Sequence, residues 1–172
     1  MYDSPNRFLD QPEDSVWQHV KVNIAGVLMI TRLVLPGMVS RRRGLVINMS
    51  SIAGYQPLPL MGVYSASKKF VEYFSETLEY EYKSSGIEVQ TLVPSYISTK
   101  MTKWSSMLQK PGIITPNANS FARSAIATIG ALTLLLLLLT DSNISKPYLL
   151  VKSESKYECL FSSTTCGWLC CQ

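Results

Sequence analysis

The stretch from Leu45 to Val93 constrains the fold more than any other part of this 172-residue chain. Leu45–Ser50, LVINMS, is a short apolar run of the kind that a buried strand of a parallel sheet requires. Pro57 and Pro59 punctuate the loop after it. From Val63 to about Ser85 the pattern predicts a long helix, whose later face carries Glu72, Glu76, Glu79, Glu81 and Lys83. Gly86 stands where a left-handed C-cap belongs, and Glu88–Val93 reads as the next strand. Strand, long helix and strand in that order form a βαβ unit with parallel strands, right-handed by default. Upstream, Pro12, Glu13 and Asp14 mark a helix start with an acidic first turn. Val16, Val20, Ile24, Val27 and Leu28 continue it at helical spacing to about Met38. A shorter helix is predicted over Ala118–Ile129, and no internal repeat occurs.

Chemistry concentrates at the strand end and the helix start. Ser51, Tyr64 and Lys68 are spaced by thirteen and four residues, so Tyr64 and Lys68 share one face of the predicted helix. An ammonium beside a phenol lowers the phenol's pKa from about 10 and yields a general acid or base. The tyrosine–lysine spacing recurs at Tyr96/Lys100 and Tyr148/Lys152 in a chain with nine tyrosines. Only Tyr64 has a serine thirteen residues upstream, since Lys83 and Leu135 occupy those positions for the other two.

With these motifs the chain resembles the short-chain dehydrogenase/reductases. Within them it is most similar to the branch of 17β-hydroxysteroid dehydrogenases and very-long-chain 3-oxoacyl-CoA reductases. Asn23 in VNIAG, the LPGM ending at Met38 and the run Pro94 to Met101, PSYISTKM, match further family motifs in family order over about residues 1–130. The resemblance implies an α/β fold, a partial Rossmann-like, doubly wound parallel sheet. It also implies that Tyr64 gives a proton to a substrate carbonyl oxygen that Ser51 hydrogen-bonds. Lys68 would lower the tyrosine pKa and bind the nicotinamide ribose, and Asn23 would hold a water in a proton relay. Pro94 and Thr99 belong to the segment that closes over the nicotinamide, with Thr99 orienting its carboxamide. NADP(H) as cofactor follows from the resemblance alone, as does a lipid or steroid substrate reduced at a keto group. Substrate-lining residues are expected around Tyr55–Met61 and Met101–Ile114.

One family feature does not occur. The nine glycines, at positions 26, 37, 44, 54, 62, 86, 112, 130 and 167, are too dispersed for the glycine-rich turn that binds pyrophosphate at a helix N-terminus. The resemblance places Met1 in the loop after the family's fourth strand, so the expectation is a catalytic half without its N-terminal nucleotide-binding half. The expected organisation is that half over residues 1–130 and a divergent, apolar, cysteine-containing tail over 131–172. A sheet so reduced would leave an edge open to pairing with another chain. In many family members the helices corresponding to 14–38 and 63–85 form the dimer interface, which makes a homo- or heterodimer the expected assembly.

Composition agrees with a globular chain: 47% hydrophobic and 16% charged residues are not those of a disordered one. The net charge of +4 is modest, and the basic cluster Arg41–Arg43 reads as a solvated loop. Without interleaved aromatic residues it argues against nucleic-acid binding. Ala125–Leu139 is the transmembrane candidate, yet its fifteen residues fall short of the ~20 a span needs, so a buried helix or an interfacial one stays open. Endoplasmic-reticulum localisation follows by resemblance only, since the branch's N-terminal hydrophobic anchor has no counterpart in the polar, acidic start of this sequence. Cys159, Cys166, Cys170 and Cys171 lack the spacing of a zinc site and read as free thiols, with palmitoylation as the alternative. No metal site is expected. His19, the one histidine, reads as a helix-surface or packing residue rather than a catalytic base, and the sequon at Asn48 falls within a buried strand.

Three functions are compatible with these features. The first is NADPH-dependent reduction of a 3-oxoacyl-CoA or keto-steroid. The second is a catalytically inactive product that pairs with a full-length relative, and the third is a membrane-associated module built on Ala125–Leu139.

Overall fold

Strand β1 (Gly44–Met49) pairs in parallel with strand β2 (Ile87–Pro94), in a register that sets Gly44 opposite Ile87 and Met49 opposite Leu92. The connection between them is helix α3 (Gly62–Tyr82), so the predicted βαβ unit is present. This computed structural model describes residues 5–110, 115–129, 149–153 and 156–158. The chain divides into two compact units, Met1–Leu92 and Val93–Gln172.

In the first unit the expected N-terminal helix runs from Glu13 to Ser40. It comprises α1 (Glu13–His19), a π-helical stretch Val20–Ala25 and α2 (Gly26–Ser40). Glu13 and Asp14 occupy the first turn, where the helix dipole favours them. The π-helical stretch contains Asn23, one of the site candidates; such bulges interrupt the regular i→i−4 ladder and re-aim side chains. The core of this unit is Leu35 from α2, Val46 from β1, Leu78 from α3 and Ile87 and Val89 from β2, flanked by Met38, Val39, Phe74 and Tyr82. Burying side chains of this size contributes about 2 kcal/mol each.

Two expectations need correction here. Leu45–Ser50 was expected to be buried throughout, but β1 alternates: Val46 and Asn48 are buried, whereas Ile47 and Met49 are 37% and 44% exposed. The reason is that α2 and α3 both contribute to the cluster around Val46, so within this unit they cover one face of the strand. The second concerns the membrane candidate. Among the described residues it is Glu13–Ser40 that is long and apolar enough to cross a membrane, by length and composition alone. The helix itself is predicted from the sequence, but Lys21 and Arg32 interrupt its apolar run, so it does not stand out there as a span. Residues 130–139 of the stretch first singled out lie outside the described residues.

At the end of α3 the chain tightens into a 3-10 turn, Lys83–Ser85, and stops at Gly86, whose φ of +75° is left-handed. A β-carbon there would lie 2.2 Å from the Arg42 carbonyl oxygen, so space as well as conformation demands glycine. The same contact ties the turn before β2 to the turn before β1, where the Gly44 amide donates to the Gly86 carbonyl.

The second unit contains the end of β2, a 3-10 turn at Lys100–Thr102, helix α4 (Ala118–Thr128) and an antiparallel pair, β3 (Leu149–Ser153) with β4 (Lys156–Glu158). Asn117 caps α4, its Oδ1 accepting the Ser120 amide at 2.8 Å. All four cysteines lie outside the described residues.

Gly86→Ala is expected to lower stability by about 2 kcal/mol or more, from positive-φ strain and the Arg42 contact together. Urea unfolding with an unchanged m-value measures it, and a loss below about 0.5 kcal/mol would contradict this account.

Candidate active site

The end of β1 delivers a polar turn onto the N-terminal part of α3. Ser50 closes the strand, its amide donating to the Leu92 carbonyl at 2.8 Å. Ser51 is extended and caps a 3-10 turn, Ile52–Gly54, with its Oγ accepting the Ala53 amide at 3.2 Å. Gly54 lets that turn meet α3 backbone to backbone: a β-carbon there would sit 3.0 Å from the Lys68 carbonyl carbon and from the Lys69 amide nitrogen. The Ser65 hydroxyl donates to the Ala53 carbonyl and completes the seam.

Tyr64 and Lys68 lie one helical turn apart on α3, and Tyr64 hydrogen-bonds the Ser51 side chain. Lys68 Nζ lies 5.7 Å from the Tyr64 ring centroid and donates to the Met49 carbonyl at 2.9 Å. Asn23, from the π-helical stretch, donates through Nδ2 to Ser67 Oγ at 2.9 Å, and Ser67 donates to the Tyr64 carbonyl at 2.7 Å. Thus Asn23, Ser51, Tyr64 and Lys68, although distributed over forty-six positions from first to last, are brought together in one unit.

The electrostatics differ from the sequence expectation. Lys68 was expected to pull the Tyr64 pKa down; instead burial pushes it above the ordinary tyrosine value, and the Ser51 hydrogen bond only partly offsets this. The geometry supplies the reason, because the ammonium lies by the ring and is bonded to Met49. Lys68 itself is lowered by burial.

Pro94 and Thr99 stand in the second unit. Pro94 ends β2 and is buried. Thr99 caps the Lys100–Thr102 turn: its Oγ1 accepts the Met101 amide at 3.3 Å, while its own amide donates to Thr102 Oγ1 at 3.1 Å. Gln109 Nε2 donates to the Thr99 carbonyl at 3.0 Å and to Thr102 Oγ1 at 2.8 Å, holding the turn from its far side. Residues 111–114, the end of the expected substrate segment, are outside the described residues.

Two residues near the site were undervalued in the sequence. His19 is buried, with Nδ1 2.7 Å from the Ser15 carbonyl and its ring edge-on to Tyr64 at 6.1 Å. It packs, as expected, but against the candidate acid itself; burial chiefly lowers its pKa. Its place one turn before Asn23 was the available signal. Glu72, one turn after Lys68, was read as part of a charged face and is fully buried. Among the described residues no group of side chains could hold a metal ion.

A family model described as short chain dehydrogenase matches residues 3–109. The chain is 43% identical over 134 residues to the very-long-chain 3-oxoacyl-CoA reductase of Mus musculus, covering 77% of this chain and 42% of that protein. It is 39% identical over 129 residues to the inactive hydroxysteroid dehydrogenase-like protein 1 of Rattus norvegicus, covering 75% of this chain and 39% of that one. A serine dehydrogenase structure complexed with NADP+ superposes with a TM-score of 0.53 at 31% identity, over 54% of this chain and 38% of the other. The chain belongs to the short-chain dehydrogenase family, and its fold is of the Rossmann-like α/β class. It spans about 42% of the length of the curated reductase.

The raised Tyr64 pKa gives a direct expectation. The unfolded phenol ionises near 10 and the folded one higher, so ionisation of Tyr64 opposes folding only above about pH 10. A spectrophotometric titration of wild type minus Tyr64→Phe is expected to place this phenolate above the bulk of the tyrosines. A midpoint below 10 would contradict the burial argument.

Proposed function

We propose that this chain carries the proton-transfer machinery of an NADP(H)-dependent keto-reductase acting on a 3-oxoacyl-CoA or a keto-steroid. The observation that supports this most is the Ser51–Tyr64 hydrogen bond with Lys68 one turn away on α3 and Asn23 behind them. The mouse relative's name supplies the acyl substrate, and the name of the hydroxysteroid dehydrogenase-like protein 1 of Gallus gallus the steroid alternative.

In this reading a substrate carbonyl oxygen sits between Ser51 Oγ and the Tyr64 hydroxyl, and both donate to it. NADPH, when bound, supplies the hydride to the carbonyl carbon. Tyr64 gives its proton to the oxygen as negative charge develops there, and Ser51 stabilises that charge. Tyr64, its pKa raised by burial, carries the proton that this role requires at neutral pH. Lys68 has three donors, of which one meets Met49, so the others are available for a ribose hydroxyl and for returning a proton to Tyr64. Asn23 fixes the α3 backbone at Tyr64 through Ser67, and in this reading it holds a water of the proton relay. Pro94 and Thr99 are assigned to the nicotinamide end of the cofactor. The residues at Tyr64 and Lys68 fit the nicotinamide ribose. The pyrophosphate is a poorer fit, since the dispersed glycines of this sequence form no glycine-rich turn to cradle it.

Saturable quenching of NADPH fluorescence by the purified chain, followed by consumption of NADPH with a 3-oxoacyl-CoA, tests the proposal. Tyr64→Phe is expected to lower turnover about 100-fold or more. A chain that does not bind NADPH defeats it.

A second reading is favoured by the exposed apolar surface of α2 and β1. Met29, Ile30 and Leu33 on α2 are 63%, 64% and 81% exposed, and Ile47 and Met49 are half-exposed on the other face of β1. In this reading the chain is catalytically inactive and pairs with a full-length relative or a second copy through the helices over 14–38 and 63–85. Localisation at the endoplasmic reticulum membrane belongs to the same proposal, by family resemblance. Co-purification of tagged chain with a full-length reductase, lost on Leu33→Glu, is the expected result; a monomer that captures no relative counts against it.

A further inference from the structure

Tyr64, Lys68 and Glu72 form one stripe along α3, and the side chain of Glu72 is 0% exposed. A carboxylate so placed is costly unless its oxygens have partners. Oε1 accepts the Ser50 hydroxyl at 3.0 Å and Oε2 meets Lys69 Nζ at 3.0 Å. Lys69 is 34% exposed, so water screens that ion pair, whereas the Ser50 bond is buried. Two acceptors lie within reach of the single Ser50 proton, Glu72 Oε1 and the Lys68 carbonyl, both at 3.0 Å, and a charged acceptor binds it more strongly. Ser50 is therefore fixed twice, through its amide to β2 and through its hydroxyl to α3. The turn it opens passes directly over the carboxylate, since a β-carbon on Gly54 would lie 3.1 Å from Oε1.

We propose that Glu72 is a positioning residue for Ser51. Its buried carboxylate holds the Ser50 hydroxyl and thereby sets the Ser50–Gly54 turn at one height on α3, with Ser51 opposite Tyr64. Glu72 touches no reacting atom. The claim about Ser51 as a reacting group rests on the keto-reductase reading, but the latch itself does not.

Amide hydrogen exchange across the full chain tests the latch. Glu72→Ala and Ser50→Ala are expected to speed exchange over residues 51–54 about tenfold while the β1–β2 ladder amides stay as in wild type. Glu72→Gln keeps an oxygen acceptor for Ser50 and is expected to stay within about twofold of wild type, as is Lys69→Ala, which removes the screened ion pair and the contact of its ammonium with the Tyr73 ring. Unchanged exchange over 51–54 in both alanine variants, or a rise shared equally by the ladder, overturns the proposal. Should Glu72→Ala fail to fold, Ser50→Ala decides the matter, because it removes one hydroxyl and nothing else. On the same samples, with NADPH and a 3-oxoacyl-CoA, Glu72→Ala is expected to lower kcat at unchanged KM, and Glu72→Gln to restore it. An unchanged kcat in Glu72→Ala overturns the positioning role. A wild type without turnover defeats the keto-reductase reading instead, and leaves the exchange result to decide the latch.

Discussion

The geometry around Ser51, Tyr64 and Lys68 depends on how closely the end of β1 sits on α3. The approach is backbone to backbone at Gly54, where any side chain would have to push Lys68 and Lys69 aside. Hydrogen bonds from Ser50 to α3, from Ser65 to the Ala53 carbonyl and from Lys68 to the Met49 carbonyl then fasten the two elements from both sides. A turn held this way cannot drift by the ångström or so that would separate the Ser51 and Tyr64 hydroxyls. The parallel pairing of β1 and β2 sustains the arrangement from below, since the same Ser50 whose hydroxyl meets α3 gives its amide to Leu92.

Close packing also decides the charge states. Desolvation is the largest influence on Tyr64, Lys68 and His19 alike, and it favours the neutral form of each. Lys68 accordingly meets its surroundings through the hydrogen bond to the Met49 carbonyl and its place beside the Tyr64 ring. Glu72 is the buried carboxylate of this neighbourhood, and its two oxygens are each engaged.

The surfaces tell a different story from the site. A parallel strand with Ile47 and Met49 half-exposed, and a helix with Leu33 largely in water, are unusual for an α/β domain whose sheet is covered on both faces. The matched segment covers 42% of the mouse reductase, so that relative is more than twice as long as the match.

The amino-acid pattern by itself determined the βαβ unit, its helix boundaries to within a few residues and the left-handed cap at Gly86, because hydrophobic period, proline placement and glycine φ are local properties. It likewise determined the pairing of Tyr64 with Lys68, one turn apart on a helix. Only the tertiary structure decided the rest. Which faces of β1 are covered depends on where α2 and α3 settle, which is why a strand expected to be buried alternates. Glu72 looked like one charge among several on a solvated face, and His19 like an ordinary helix residue, until the Ser50 turn and the Tyr64 ring were laid against them. The direction of the Tyr64 pKa was also beyond the sequence: spacing can place an ammonium near a phenol, but the depth to which both are withdrawn from water sets the balance between attraction and desolvation, and that depth exists only in the packed molecule.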